Sequence, residues 1–279
     1  MITFTIDLEN HRQDQIVRYE KPVRKILELL ESNSVKATIF VEGQLIDTAS
    51  SLIKEISSLG HEVGYHWEKT EYLFEVDPVT FLKVSKQRRQ QIEELTGRAC
   101  TGFRAPVFSV PTYPETSLNW FSSALVESGF KYSSSFILTG KKLTKLKQYG
   151  HGCFRWPSGL LEIPVPTLLN NVNLPFMGGI YFRYLPRWII ENRIQAIHLS
   201  RPSAELWAYF HPYDVDNQEG YVRFPNRGIL ASILLSYVRD NALEDIRWFL
   251  ENFVFHKSFS DRLDEISGEP LPFWHSLSM

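Results

Sequence analysis

In Ile2-Thr3-Phe4-Thr5-Ile6-Asp7-Leu8-Glu9, residues 2–6 open the chain as a short apolar strand that ends at Asp7, with Glu9 two residues on. Residues two apart on a strand point the same way, so Asp7 and Glu9 share one direction. The same arrangement, an apolar run closing on a chemically capable residue, recurs along the sequence. Residues 22–32 read as a helix, with Pro22 in its first turn and Val23, Ile26, Leu27 and Leu30 on one face. Ala37-Thr38-Ile39-Phe40-Val41 is the next strand, and residues 44–59 form one helix stopped by Gly60. Residues 61–66 make a third strand that runs into His66. A long helix from Pro78 to Thr96 closes on Gly97, and Thr101-Gly102-Phe103 leads into Arg104. Residues 116–128 are helical and stop at Gly129, before a strand over 130–132. Further strands are expected at 161–165 and 207–211, and helices over 186–199 and 228–252.

Alternation of this kind argues for parallel βα units, and seven or eight strands point to an α/β fold, a distorted (β/α)7–8 barrel. The reading is one domain over 1–279. The stretch 136–160, with Lys141, Lys142, Lys145 and Lys147, is expected to be a solvated loop, and the tail from about 260 to pack loosely. Parallel strands bring their C-terminal ends to one mouth. Asp7, His66, Arg104 and His211 each end or follow a strand, so residues far apart in sequence are expected to meet there.

Composition sets bounds. Of 279 residues 43% are hydrophobic and 22% charged, enough for a sizeable core. A formal net charge of -2 leaves no basic field for a nucleic acid partner. Two cysteines, Cys100 and Cys153, make no disulfide framework. No apolar run reaches the ~18 residues of a membrane span. The chain starts directly on a strand, and the expectation is a soluble, cytoplasmic protein.

An ordered series of motifs resembles the polysaccharide deacetylases, the NodB-homology group or carbohydrate esterase family 4. Thr5-Ile6-Asp7-Leu8-Glu9 resembles the first motif, in the variant found in deacetylase-like proteins of O-antigen and exopolysaccharide gene clusters. Val35 to Val41 resembles the second strand, and Gly60-His61-Glu62-Val63-Gly64-Tyr65-His66 the run into the metal motif. Gly102-Phe103-Arg104-Ala105-Pro106 resembles the third motif, and Tyr209-Phe210-His211-Pro212 the final histidine motif. Leu161-Glu162-Ile163-Pro164 and Gly178-Gly179-Ile180-Tyr181-Phe182-Arg183 resemble segments of the closer subgroup.

The resemblance implies hydrolysis of an N-acyl group on an amino sugar, helped by a divalent metal, zinc being the expected ion. Asp7 would then be the general base, Arg104 its orienting partner and His211 the acid that protonates the leaving amine. Glu9 and His66 would hold the metal. Trp67, Phe108 and Tyr181 are candidates for a sugar-stacking wall. The substrate would be a sugar nucleotide or lipid-linked precursor of surface polysaccharide.

Two positions depart from the family pattern. Its metal motif is His-x-x-x-His, whereas His66-Trp67-Glu68-Lys69-Thr70 ends in a threonine. Glu68, Glu71 or His11 could replace the third ligand. An aspartate expected beside Arg104 is Ser133. Two other functions therefore stand beside the deacetylase: a non-catalytic relative that binds a sugar or a partner, and an altered deformylase or amidase.

Overall fold

The computed structural model describes residues 1–12, 16–110, 116–137, 152–169, 172–201, 204–224 and 228–274. Four strands alternate with helices through the first half: β1 (Ile2–Leu8), α1 (Glu20–Ser32), β2 (Thr38–Val41), α2 (Gly43–Thr48), α3 (Ser50–Ser58), β3 (Glu62–Tyr65), α4 (Pro78–Thr96) and β4 (Gly102–Phe103). The second half is less regular. It runs α5 (Thr116–Ser128), β5 (Tyr132–Ser133), β6 (Phe154–Arg155), β7 (Leu161–Glu162), β8 (Thr167–Leu169), β9 (Val172–Pro175), α6 (Gly179–Tyr184), α7 (Arg187–Ser200) and β10 (Leu206–Phe210). Three helices follow, α8 (Ile229–Ser236), α9 (Ala242–Asn252) and α10 (Leu263–Gly268).

Eight strands form one sheet in the order β10-β1-β2-β3-β4-β5-β7-β6. All neighbours are parallel except β6 and β7. The sheet curls as a half-barrel, an incomplete form of the expected distorted barrel; among the described residues no ladder joins β10 to β6. Along β1 the register pairs Ile6 with Phe210 and Asp7 with Phe40, and β3 pairs Tyr65 with Phe103. The residues that follow these pairs are His211, Arg104 and His66. The ladder thus brings them to one level at the C-terminal end.

Local chemistry explains the helix limits. Asp77 caps α4 by accepting from the amides of Val79 and Thr80, and Gly97 ends it at φ 66°. The face of α1 expected to be buried is buried, at Val23, Ile26, Leu27 and Leu30. Two expected helices are each broken in two. The first bends at Ala49, with φ −119° and ψ 27°, while its start is fixed by the amides of Gly43 and Gln44, free at a helix N-terminus, which donate to the carbonyls of Trp67 and Glu68. The second parts between α8 and α9, where Val238 takes φ 57°. Strand β7 is also shorter than expected, ending at Glu162.

Two packing expectations are corrected. The lysines of the 136–160 stretch lie outside the described residues, but its later part is core: Cys153, Phe154 and Trp156 are buried and β6 forms the sheet edge. The tail is also packed. Phe259, Ile266 and Trp274 are buried, the amide of Phe259 donates to Thr38 Oγ1, and that of Ser260 to Glu62 Oε2. Large aromatic surfaces in the last residues drive this docking, with Trp274 against Phe136, Phe154 and Trp156. Among the described residues no helix is long and apolar enough to cross a membrane.

Gly178 bridges to Tyr209 in parallel and so fixes where α6 starts beside β10. A Cβ there would collide with the carbonyl oxygen and amide nitrogen of Tyr209, which the β10 ladder holds in place. Gly178→Ala should lower unfolding stability by about 3 kcal/mol, read from the denaturation midpoint; a change within about 0.5 kcal/mol, the range of ordinary surface substitutions, would mean that the contact is not rigid.

Candidate functional site

The strand ends surround a cavity of about 550 Å³. Asp7, Glu9, His66, Thr70 and His211 form its polar floor. Arg104 lies underneath and is fully buried. Its guanidinium is held between the rings of Phe40 and Trp207, 4.1 and 4.2 Å from their centroids. Nη1 donates to Asp7 Oδ1 at 2.7 Å and to Thr5 Oγ1, Nε to the Ser134 carbonyl and Nη2 to Ser134 Oγ. A planar fork with this many fixed acceptors has one orientation, and so therefore does Asp7. Burial alone would raise the Asp7 carboxyl; Arg104, with His66 and His211, outweighs it and holds the group below its ordinary range.

His211 is the second fixed group. Its Nδ1 lies 2.9 Å from Asp214 Oδ2, and its amide donates to the same oxygen. Asp214 is in turn 3.1 Å from Arg183 Nε. Nδ1–H donates to Asp214, which aims Nε2 at the cavity, 3.8 Å from Asp7 Oδ2 and 3.9 Å from Glu9 Oε1. Burial disfavours the imidazolium, yet Asp214, through charge and hydrogen bond, with Glu9 and Asp7 behind it, raises the pKa to about 9. At neutral pH this ring is a proton donor.

His66 has the opposite character. Its Nδ1 sits 3.0 Å from the carbonyl of Arg104, an acceptor, so Nδ1 carries the proton and Nε2 presents a lone pair. Burial lowers its pKa against the pull of Asp7 and Glu9, leaving the ring neutral. Glu9 Oε2 is 3.9 Å from His66 Nε2 and accepts from the Thr70 hydroxyl at 2.7 Å. Behind Glu9, burial and the Glu9 charge push Glu42 up to about 8.

The other expected residues separate. Phe108 and Tyr181 line the cavity. Trp67 does not: it is 2% exposed, packs on Phe81, and donates to Glu71 Oε1. Its backbone has a φ of 58°. Glu71 is thereby spent on Trp67, and Glu68 on Arg88 and Tyr65. His11 lines the cavity, but its Nε2 is 2.7 Å from Glu219. Val107 and Phe108 also have positive φ, 58° and 52°, so backbone strain collects around this site. Asp214 and Arg183 were not anticipated. The available signal was the spacing His211-Pro212-Tyr213-Asp214, in which proline starts a turn that returns the side chain at i+3 to the histidine. Ser133 does not leave Arg104 unsupported, because Ser134 binds it directly and Ser135 Oγ holds the amide of Ala105.

Carbohydrate esterase family 4 deacetylases are generally metal-dependent. The donors present here do not fit a three-ligand centre. Glu9 and His66 supply two donors, and the third position is a hydroxyl that already donates to Glu9. Among the described residues no group of three or more His, Cys, Asp and Glu side chains is arranged to hold an ion.

Comparison with known proteins agrees with the fold and divides the chain. Residues 10–122 match the polysaccharide deacetylase family, and residues 134–260 match a domain of unknown function (DUF3473). The first match contains His66 and Arg104, and the second His211 and Asp214. A peptidoglycan deacetylase of Helicobacter pylori is 30% identical over 118 residues, 42% of this chain and 38% of that protein. A chitin deacetylase of Pestalotiopsis sp is 31% identical over 88 residues, 30% of each. The chain spans from 30% to 55% of the length of the curated relatives it matches. A Mycobacterium smegmatis structure assigned as a polysaccharide deacetylase superposes with a TM-score of 0.59 at 17% identity, over 97% of this chain and 92% of that one. The allantoinase PuuE gives 0.57 at 15% identity, over 99% and 90%. The match to the polysaccharide deacetylase family thus covers residues 10–122, and the likeness to these solved structures shows that the chain shares their fold.

Proposed function

We propose that the chain hydrolyses the N-acyl amide of an amino sugar, in the making of a surface polysaccharide. The observation that carries this is the facing pair on the cavity floor: an ionised carboxylate, Asp7, and a protonated imidazole, His211, 3.8 Å apart and each fixed from behind. Amide hydrolysis needs a base for the attacking water and an acid for the departing nitrogen. Asp7 Oδ2 is the oxygen not bound by Arg104 and takes the water proton as the water oxygen bonds to the acyl carbon. His211 Nε2–H gives its proton to the nitrogen as the C–N bond breaks, yielding a carboxylate and a free amine. Asp214 and Arg183 hold the ring through this exchange.

A second reading, a sugar-binding relative without turnover, is favoured by Thr70, which occupies the place of a ligand and neutralises no charge. Release of acetate or a longer carboxylate from N-acyl amino sugars separates the two. Turnover is expected from the native chain, and Asp7→Asn should lower kcat by about 10³-fold; no release with or without added divalent ions leaves only the binding reading.

The pH profile follows from His211. Its pKa is raised, so the acid is present below about 9 and lost above it. kcat/KM should hold through neutral pH and fall on the alkaline side near 9. Asp214→Asn removes the raising charge, and the alkaline limb should move toward about 6.5, the value of an unperturbed imidazole. A limb that stays in place would show that another group donates the proton.

Thr70→His adds the missing donor at i+4 from His66. Elemental analysis of the variant should find close to one divalent ion per chain, and less in the native protein. Equal metal content in both would place the ion elsewhere.

A further inference from the structure

The cavity is polar at one end only. Above the floor its wall is built from Ile180, Tyr184, Leu185, Ala231, Leu234 and Leu235. Three of these come from α8, and that helix is inside out. Its serines face inward: Ser232 and Ser236 are buried, with their hydroxyls accepting from the amides of Phe224 and Val222. Its apolar residues face outward, with Ile229 66%, Leu230 70% and Ile233 40% exposed. A helix placed only to fill a core would present the reverse pattern.

The outward face is continuous with the cavity. Leu234 and Tyr184 line the cavity and are also 39% and 42% exposed, so among the described residues the apolar surface passes from inside to outside. The wall is held firmly. Arg183 donates to the carbonyls of Leu235 and Tyr237, and the Tyr184 hydroxyl to that of Leu234. Arg183 also pairs with Asp214, so one side chain ties the apolar wall to the support of His211. An apolar surface that is rigid, wet and joined to a reactive floor fits a ligand that is polar at one end and hydrocarbon at the other.

We propose that the apolar half of the cavity binds a hydrocarbon chain carried by the substrate, which makes the substrate an amphipathic N-acyl amino sugar. This rests on the hydrolase reading for the polar end only. The sugar amide lies between Asp7 and His211, and the chain runs past Ala231, Leu234 and Leu235 and leaves over α8. Such a chain can be the N-acyl group itself or the group on the anomeric oxygen.

Equilibrium binding to the native protein tests this with three monomeric probes: methyl N-acetylglucosaminide, octyl N-acetylglucosaminide and methyl N-octanoylglucosaminide. One octyl probe should bind at least about tenfold more tightly than the methyl compound. Preference for the octyl glycoside assigns the chain to the anomeric side, and preference for the N-octanoyl compound assigns it to the acyl side. Leu234→Gln, checked for native folding, should erase that gain. Equal affinities for all three probes, or no binding of any, overturn the proposal. Binding is read without turnover, so the two failures are distinct. A chain preference without carboxylate release would sink the hydrolase alone, and release without a chain preference would sink only this inference.

Discussion

The contact between Arg104 and Asp7 sets the geometry of everything around it. A guanidinium with no exposure, between two aromatic rings, is tolerable only because its donors meet Asp7, Thr5 and Ser134. Those acceptors come from β1 and from the residue after β5, so the charge pins two strands that are not neighbours in the sheet. It also fixes the backbone carbonyl of Arg104, which selects the tautomer of His66. The cost to function is basicity: the charge that positions Asp7 also depresses its pKa.

The site is assembled from two unlike halves. Residues 10–122 bring His66 and Arg104 on regular βα units, and residues 134–260 bring His211, Asp214 and Arg183 on short, irregular elements. β1 and the residue after it belong to neither match, yet they supply both carboxylates, Asp7 and Glu9. Neither half holds the facing acid and base alone. The ladder between β1 and β10 puts them opposite one another.

Much of this was readable from residue order. Strand ends at Asp7, His66 and His211 follow from apolar runs that stop at polar residues, and a parallel sheet forces them together. The limits of α4 follow from Asp77 and Gly97. What could not be read was decided by tertiary partners. The start of α2 is anchored by carbonyls more than twenty residues away in the chain, at Trp67 and Glu68. Trp67 is a wall residue by position, but its ring packs in the core on Phe81 and donates to Glu71. The inverted face of α8 defeats any reading that equates apolar with buried, because its serines satisfy backbone amides that no helix or strand partner reaches.

The pairing of β1 with late residues has a kinetic consequence. Ile2 donates its amide to Val254 and accepts from His256, and β1 joins β10 more than two hundred residues downstream. During synthesis the first strand must wait for almost the last before its outer edge is satisfied. Loop closure over that separation is entropically slow, and a lone apolar edge is a surface on which chains associate. The rate of folding, and exposure to chaperones, should therefore be governed by this one late seam more than by the regular βα units that form early.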